Sequence, residues 1–163
     1  MRRTLSSILA LTAACLGPLG TARAAITGLG QPAAPRSDCI IVLEDGAAGT
    51  LYPVEQCGPG RFRTAEASGA AHLMTWYADA DFGGWSQMIW GKYGTCDRSG
   101  YRFDTSNGFG FWERNLSSYR LYGGCYYSEF TNHQGEYSDH VGDVAYVGDR
   151  FNDNIVSLRA WAR

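Results

Sequence analysis

The sequence predicts an all-β fold in which a unit of four short strands occurs twice. The first observation is composition: 21 glycines accompany 10 tyrosines and 5 tryptophans, which is typical of domains with many short strands joined by tight turns. The second is an internal repeat, in which residues 151–161 (FNDNIVSLRAW) echo residues 112–122 (WERNLSSYRLY). Both stretches share an aromatic start, an Asn, a Leu or Ile, a Ser, an Arg and an aromatic end. Such a repeat indicates a repeated supersecondary unit.

Residues 1–24 predict a secretory signal peptide rather than part of the fold. Two arginines precede a short apolar run over residues 5–19, and residues 22–24 (ARA) form an A-x-A cleavage site. The run is too short to span a membrane. We therefore expect a secreted, extracellular chain. It begins with a flexible leader over residues 25–36, which contains two prolines and no periodicity.

The charge of the chain disfavours one class of partner. The full sequence has 14 basic and 16 acidic residues, and the predicted processing removes three arginines and no acidic residue. No cluster of basic residues remains, whereas binding to phosphates requires a clustered basic face. We therefore expect a protein partner, no nucleic acid and no membrane span.

Four cysteines follow the predicted signal peptide: Cys39, Cys57, Cys96 and Cys125. An even number of cysteines in an exported chain implies disulfides, and four cysteines allow three pairings. We favour Cys39–Cys57 and Cys96–Cys125, because each pair closes a moderate loop within one part of the chain. A zinc site is disfavoured, since no two cysteines have C-x-x-C spacing.

The chain divides into a hairpin extension over residues 37–70 and a domain over residues 71–163. The extension has an apolar strand and a return strand around a glycine-containing turn, and residues 61–70 have no assignable pattern. No longer window shows helical periodicity. The strands predicted in the domain are residues 72–77, 85–90, 101–103 and 118–122, then 125–129, 136–138, 144–147 and 155–161.

Residues 77–84 (YADADFGG) carry the most specific motif, two aromatic residues followed by a glycine. A hairpin that folds back on itself needs glycine where φ is positive, and two aromatic rings can pack over it. Hydroxyl groups of the repeated stretch can bond the same backbone. On these motifs the chain resembles the βγ-crystallin superfamily, and within it the small secreted bacterial peptidase inhibitors, whose known examples inhibit metalloproteinases. The resemblance implies a sandwich of two Greek keys, at about residues 71–122 and 124–161.

The resemblance also implies paired calcium sites in two stretches, residues 113–118 and 152–157. The candidate calcium ligands in this chain are Asn152, Asp153, Asn115 and Ser117. The chain departs from the family pattern at Arg114, which adds a positive charge, and at Val156, which lacks a hydroxyl. His133 stands where Phe is usual. Because calcium prefers about 6–8 oxygen ligands, we expect no cofactor beyond weak calcium binding.

No pattern of residues indicates catalysis, and we predict that the chain is not an enzyme. Asp139-His140 resembles half of a catalytic dyad, but no Gly-x-Ser-x-Gly motif accompanies it. The three histidines show neither HExxH nor an i, i+4 pair. We predict no catalytic residue.

Two loops lengthen the first motif, residues 91–100 and residues 104–110. They carry the candidate binding residues Tyr93, Arg98 and Phe109. A disulfide-braced, exposed loop suits an inhibitor, because a loop ordered in advance lowers the cost of binding. We predict a secreted, non-enzymatic binding protein, most specifically a peptidase inhibitor. The alternatives are an adaptor subunit of a secreted toxin-type complex and a calcium-stabilised structural protein.

Overall fold

The structure is a computed structural model that describes residues 36–45, 51–105 and 110–163. The predicted signal peptide and nearly all of the leader lie outside the described residues. The elements are β1 (Cys39–Asp45), β2 (Leu51–Cys57), α1 (Arg61–Ala67), β3 (Ala71–Asp79), β4 (Gly83–Gly91), β5 (Tyr101–Asp104), β6 (Ser118–Leu121), β7 (Tyr127–Asn132), β8 (Tyr137–Val141) and β9 (Ile155–Trp161). The predicted all-β class is confirmed. None of the described helices is both long and apolar enough to cross a membrane.

The strands form two interlocked Greek keys. In the first motif β3 pairs with β4 and β6, and in the second β7 pairs with β8 and β9. The third strand of the first motif, β5, instead pairs with β9, with Tyr101 opposite Ala160. In return, Val144 of the second motif forms a bridge to Tyr119 of β6. Each motif therefore completes the sheet of the other, as the predicted pair of Greek keys requires.

The second motif differs from the predicted strands; β8, for example, covers Tyr137–Val141 where residues 136–138 were predicted. The predicted strand 144–147 is reduced to the bridge at Val144, whose N–H and C=O both bond Tyr119. Beyond it the chain turns to Ser117, which accepts a bond from Val147 N. The strand predicted to begin at residue 125 begins at Tyr127, because residues 122–125 form a turn.

The N-terminal hairpin links two sheets along their hydrogen-bonded order, one of β6, β3 and β4 and the other of β5, β9, β7 and β8. Strand β1 runs parallel to β4, with Ile41 opposite Ile89, and β2 meets β5 where Leu51 pairs with Phe103. The predicted Cys39–Cys57 disulfide joins the open end of this hairpin. All nine strands thus follow one another in a single hydrogen-bonded order.

Helix α1 occupies part of the segment that has no assignable sequence pattern. Its buried Ala65 packs with Ile40 and Val42 of β1 and Trp90 of β4 in a small cluster of their own. A helix of two turns is too short to show a clear apolar period, so only these tertiary contacts define it.

The main core lies between the sheets and is rich in aromatic residues. The Trp76 ring of β3 lies 5.7 Å from Phe103 of β5 and 5.9 Å from Trp112. The Tyr119 hydroxyl and Ser128 Oγ are 2.6 Å apart in the same core. Burial raises the pKa of Tyr119, so this hydroxyl stays protonated.

The hairpin between β3 and β4 folds back on itself as the motif predicts. The Tyr77 and Phe82 rings pack edge to face, with centroids 5.7 Å apart. Ser118 Oγ donates to Asp79 O at 2.6 Å and accepts from Phe82 N at 3.0 Å. Gly84 has φ +71°, and a Cβ there would lie 2.6 Å from Asp79 Oδ2. The predicted bond from a later hydroxyl to this hairpin is confirmed.

Candidate binding loop and cation site

The loop of residues 92–100, which we call the braced loop, is tied to the rest of the fold at its centre. The predicted Cys96–Cys125 disulfide is formed, and Cys96 N donates to Gly123 O at 2.7 Å. Asp97 O accepts a hydrogen bond of 2.7 Å from Ala162 N, near the C-terminus. One covalent and two hydrogen bonds thus fix residues 96 and 97.

The Asp97 carboxylate holds the far end of the braced loop. It accepts from Ser99 Oγ at 2.6 Å and from the N–H groups of Ser99 and Gly100 at 2.8 Å each. The Ser99 hydroxyl, then the Gly100 amide, lower the pKa of Asp97. Arg159 Nη2 donates to Ser99 O at 3.1 Å. Gly100 is required at φ +65°, because a Cβ there would overlap Ala160 O.

Two of the three predicted binding residues extend from this loop into solvent. Tyr93 is 63% exposed, and its hydroxyl bonds the Asp45 carboxylate at the end of β1. Arg98 is exposed, and no carboxylate of the described residues lies within ion-pair distance of it. The third candidate, Phe109, lies outside the described residues.

The four candidate calcium ligands are only partly brought together. Asp153 N donates to Leu116 O at 3.4 Å, which places the second repeated stretch beside the first. Ser117 Oγ donates to Ala78 O at 2.8 Å and Asn115 Nδ2 to Phe111 O at 2.7 Å. Asn115 therefore caps its own turn, while Ser117 lies at the folded hairpin.

The donor set near Asp153 matches a hard cation in kind. Partial burial, and then the negative charge of Asp79, raise the pKa of Asp153. Asn152 Nδ2 donates to Asp153 Oδ2 at 2.9 Å, while Asn152 Oδ1 is buried without a hydrogen-bond partner in the described part of the chain. Two carboxylates and an unpartnered carbonyl oxygen are donors that calcium accepts. Sequence reasoning missed Asp79, which lies inside the folded-hairpin motif.

The corresponding place in the other repeat does not fit a cation. His133 Nε2 lies 2.9 Å from Glu113 Oε1, so the Glu113 carboxylate already has a partner. Arg114, which aligns with Asp153 in the repeat, adds a positive charge. The two repeats thus differ: in one, the charge of Asp79 acts on the Asp153 carboxylate, and in the other the carboxylate of Glu113 is paired with a histidine. His133 and Glu113 were both recognisable as departures from the motif, whereas their pairing was not.

A separate group of metal-binding residue types does not offer a site. Ligand atoms of Cys39, Glu55 and Cys57 lie within 4.8 Å of one another, the one such group of three among the described residues. Both sulfur atoms belong to the disulfide, so they are not thiolate ligands.

The solved structures that resemble this chain are βγ-crystallin domains. A domain from Clostridium beijerinckii is 18% identical and covers 56% of this chain and 99% of its own, with a TM-score of 0.42. A domain from Flavobacterium johnsoniae is 21% identical, with coverage of 56% and 96% and a TM-score of 0.40. Hahellin, a βγ-crystallin, is 19% identical, with coverage of 56% and 92% and a TM-score of 0.40. No protein-family model and no curated protein sequence matches the chain.

Proposed function

We propose that the chain is a secreted, non-enzymatic binding protein that uses the braced loop as its contact surface, and most specifically that it inhibits a peptidase. The observation that carries this proposal is a loop fixed at its centre and far end while Tyr93 and Arg98 remain exposed. Ordering a loop on binding costs free energy, so a loop already ordered binds more tightly.

The chemistry of the two exposed side chains suits a protein partner. Tyrosine and arginine are enriched among residues that dominate interface energetics. Arg98 presents five N–H donors that no carboxylate of the described residues engages. Tyr93 is held by its bond to Asp45, so its ring presents contact area with little loss of freedom on binding.

Inhibition assays with residues 25–163 test this proposal. We expect inhibition of a thermolysin-type metallopeptidase or a trypsin-type serine peptidase, measured as residual hydrolysis of a peptide substrate. Arg98→Ala and Tyr93→Ala each raise the inhibition constant at least about tenfold, since hot-spot truncations cost about 2 kcal/mol or more. Matched controls are Arg63→Ala on α1 and Tyr137→Ala on β8, both exposed and outside the loop. The proposal fails if the wild type at micromolar excess inhibits neither enzyme, or if R98A and R63A behave alike.

We infer calcium stabilisation as a second candidate function, because the partly buried Asp153 is repelled by the negative charge of Asp79 and the neighbouring Asn152 Oδ1 is buried without a partner among the described residues. A divalent cation between them removes that repulsion. The Glu113–His133 pair makes the other repeat unsuitable, so at most one ion binds in these two stretches.

Thermal unfolding with calcium or with a chelator tests this second function. Calcium at tenfold its dissociation constant stabilises the folded state by about 1.4 kcal/mol. In Asp153→Asn we expect this gain to disappear, and in chelator we expect D153N to melt no lower than the wild type. Asp139→Asn, an exposed carboxylate on β8, is the control for charge. A wild-type melting temperature that calcium leaves unchanged rules this function out.

A further inference from the structure

A concave surface lies beside the first half of β4, and we call it the β4 cleft. It has a volume of about 680 Å³ and is lined by Ser37, Arg61, Asp79, Trp85, Ser86 and Met88. Ligand pockets commonly have volumes of about 300–1,000 Å³. The cleft is therefore large enough for a bound segment.

The cleft coincides with an unpaired strand edge. Strand β1 pairs with β4 only where Ile41–Leu43 lie opposite Ile89–Gly91. Within the preceding part of β4, Gln87 Nε2 already donates to Cys39 O of β1 at 3.0 Å. Residues 84–86 have β3 on one side and no other described strand on the second side. A free edge offers backbone N–H and C=O groups to an added strand.

Two apolar side chains are exposed beside this open edge. Trp85 is 54% exposed and Met88 is 37% exposed. Tryptophan and methionine are enriched at protein interfaces, and methionine adapts to side chains of different shapes. The edge therefore offers apolar contacts for an added strand in addition to backbone hydrogen bonds.

A cationic group lies at one end of the cleft. Arg61 Nη1 donates to Gly58 O at 3.2 Å and Nη2 to Ser37 O at 3.5 Å. Its Nε is buried without a hydrogen-bond partner, and no described carboxylate lies within ion-pair distance of the guanidinium. A guanidinium binds carboxylates through paired N–H···O bonds, so this end is complementary to a carboxylate.

The direction of the sheet says which end of a peptide would reach Arg61. Since β1 is parallel to β4, a segment placed ahead of β1 in the same direction would end next to Cys39, close to Ser37 and Arg61. Its C-terminal carboxylate would then meet the guanidinium, and its earlier residues would pass Asp79 at the hairpin. An antiparallel segment would instead bring an amino end to Arg61, which like charge disfavours.

We propose that the β4 cleft binds the C-terminal segment of a partner protein as an added parallel strand. The terminal carboxylate pairs with Arg61, and an apolar side chain of the segment packs against Trp85. At about 3.3 Å per residue, the open residues 84–86 span about 10 Å, which is room for about three residues. This second site is independent of the proposed inhibition, because the braced loop does not line the cleft.

Fluorescence anisotropy with labelled hexapeptides tests this proposal directly. The probes end in Leu, Phe or Val, and each is made once with a free carboxylate and once as the C-terminal amide. We expect residues 25–163 to bind at least one free acid, and its amide to bind at least about tenfold more weakly, since the amide lacks the charged partner of the guanidinium. Equal binding of acid and amide overturns the proposal, as does the absence of binding by every peptide.

Matched variants show whether the binding uses the cleft. Arg61→Ala abolishes the difference between acid and amide, whereas Arg63→Ala, on the same helix and exposed, keeps it. Trp85→Ala weakens all peptides, whereas Tyr137→Ala does not. The melting temperature of each variant verifies its fold, and R61A leaves peptidase inhibition unchanged. If R61A binds like R63A, the proposal is wrong. If no peptide binds, and if the wild type is a dimer whereas R61A is a monomer, the occupant of the cleft is a second copy of this chain.

Discussion

Trp76→Ala is expected to destabilise the protein by about 3–5 kcal/mol, the usual cost of removing a buried tryptophan side chain. Trp76 is fully buried and contacts Phe103 and Trp112 through its ring. Phe103 belongs to β5, the strand that the first motif supplies to the other sheet. The substitution therefore opens a cavity where the two Greek keys exchange strands. Urea unfolding followed by far-ultraviolet circular dichroism measures this change.

A second tryptophan provides the control for this substitution. Trp85→Ala removes an equal side chain from an exposed position on β4, and exposed substitutions change stability by about 0.5 kcal/mol or less. We expect the urea concentration at the unfolding midpoint of W85A to match that of the wild type, and the midpoint of W76A to lie well below it. If the free energy of unfolding of W76A is less than about 1 kcal/mol below that of the wild type, the sheets do not pack through this ring.

The elements that the sequence predicted correctly are those with strong local signals. Strand β9 was predicted at residues 155–161 and occupies those residues, because apolar residues and aromatic ends mark it clearly. The hairpin over residues 77–84 was predicted from aromatic spacing and glycine, two requirements of the local backbone. Helix α1 and the reduction of the predicted strand 144–147 to one bridge could not be predicted, because both depend on contacts with distant segments.

The candidate sites divide in the same way. Tyr93 and Arg98 were identified because a cysteine and glycines mark a loop. The electrostatic effect of Asp79 on Asp153 and the pairing of Glu113 with His133 both act between the two motifs, so no spacing within one motif reveals them. The β4 cleft was equally hidden, since it depends on where β1 stops pairing with β4.

Removal of the Cys96–Cys125 disulfide is expected to weaken both stability and inhibition. The bond closes a loop with a sequence separation of 29, for which the usual contribution to stability is about 2–4 kcal/mol. In Cys96→Ser/Cys125→Ser the centre of the braced loop keeps only its hydrogen bonds. Arg98 must then be ordered on binding, which costs about 0.5–1.5 kcal/mol for an immobilised side chain, whereas Tyr93 keeps its bond to Asp45. Urea unfolding and the inhibition assay measure the two losses separately.

The other disulfide separates the effect on the loop from the effect on stability. Cys39→Ser/Cys57→Ser opens a bond with a sequence separation of 18 in the hairpin extension, so it lowers stability and leaves the braced loop tied. We expect this variant to inhibit like the wild type wherever it remains folded. Gly100→Ala supplies the converse, because it retains both disulfides while its Cβ overlaps Ala160 O and displaces the end of the loop. If the inhibition constants of these variants correlate with their melting temperatures, whichever disulfide is altered, the braced loop has no contact role.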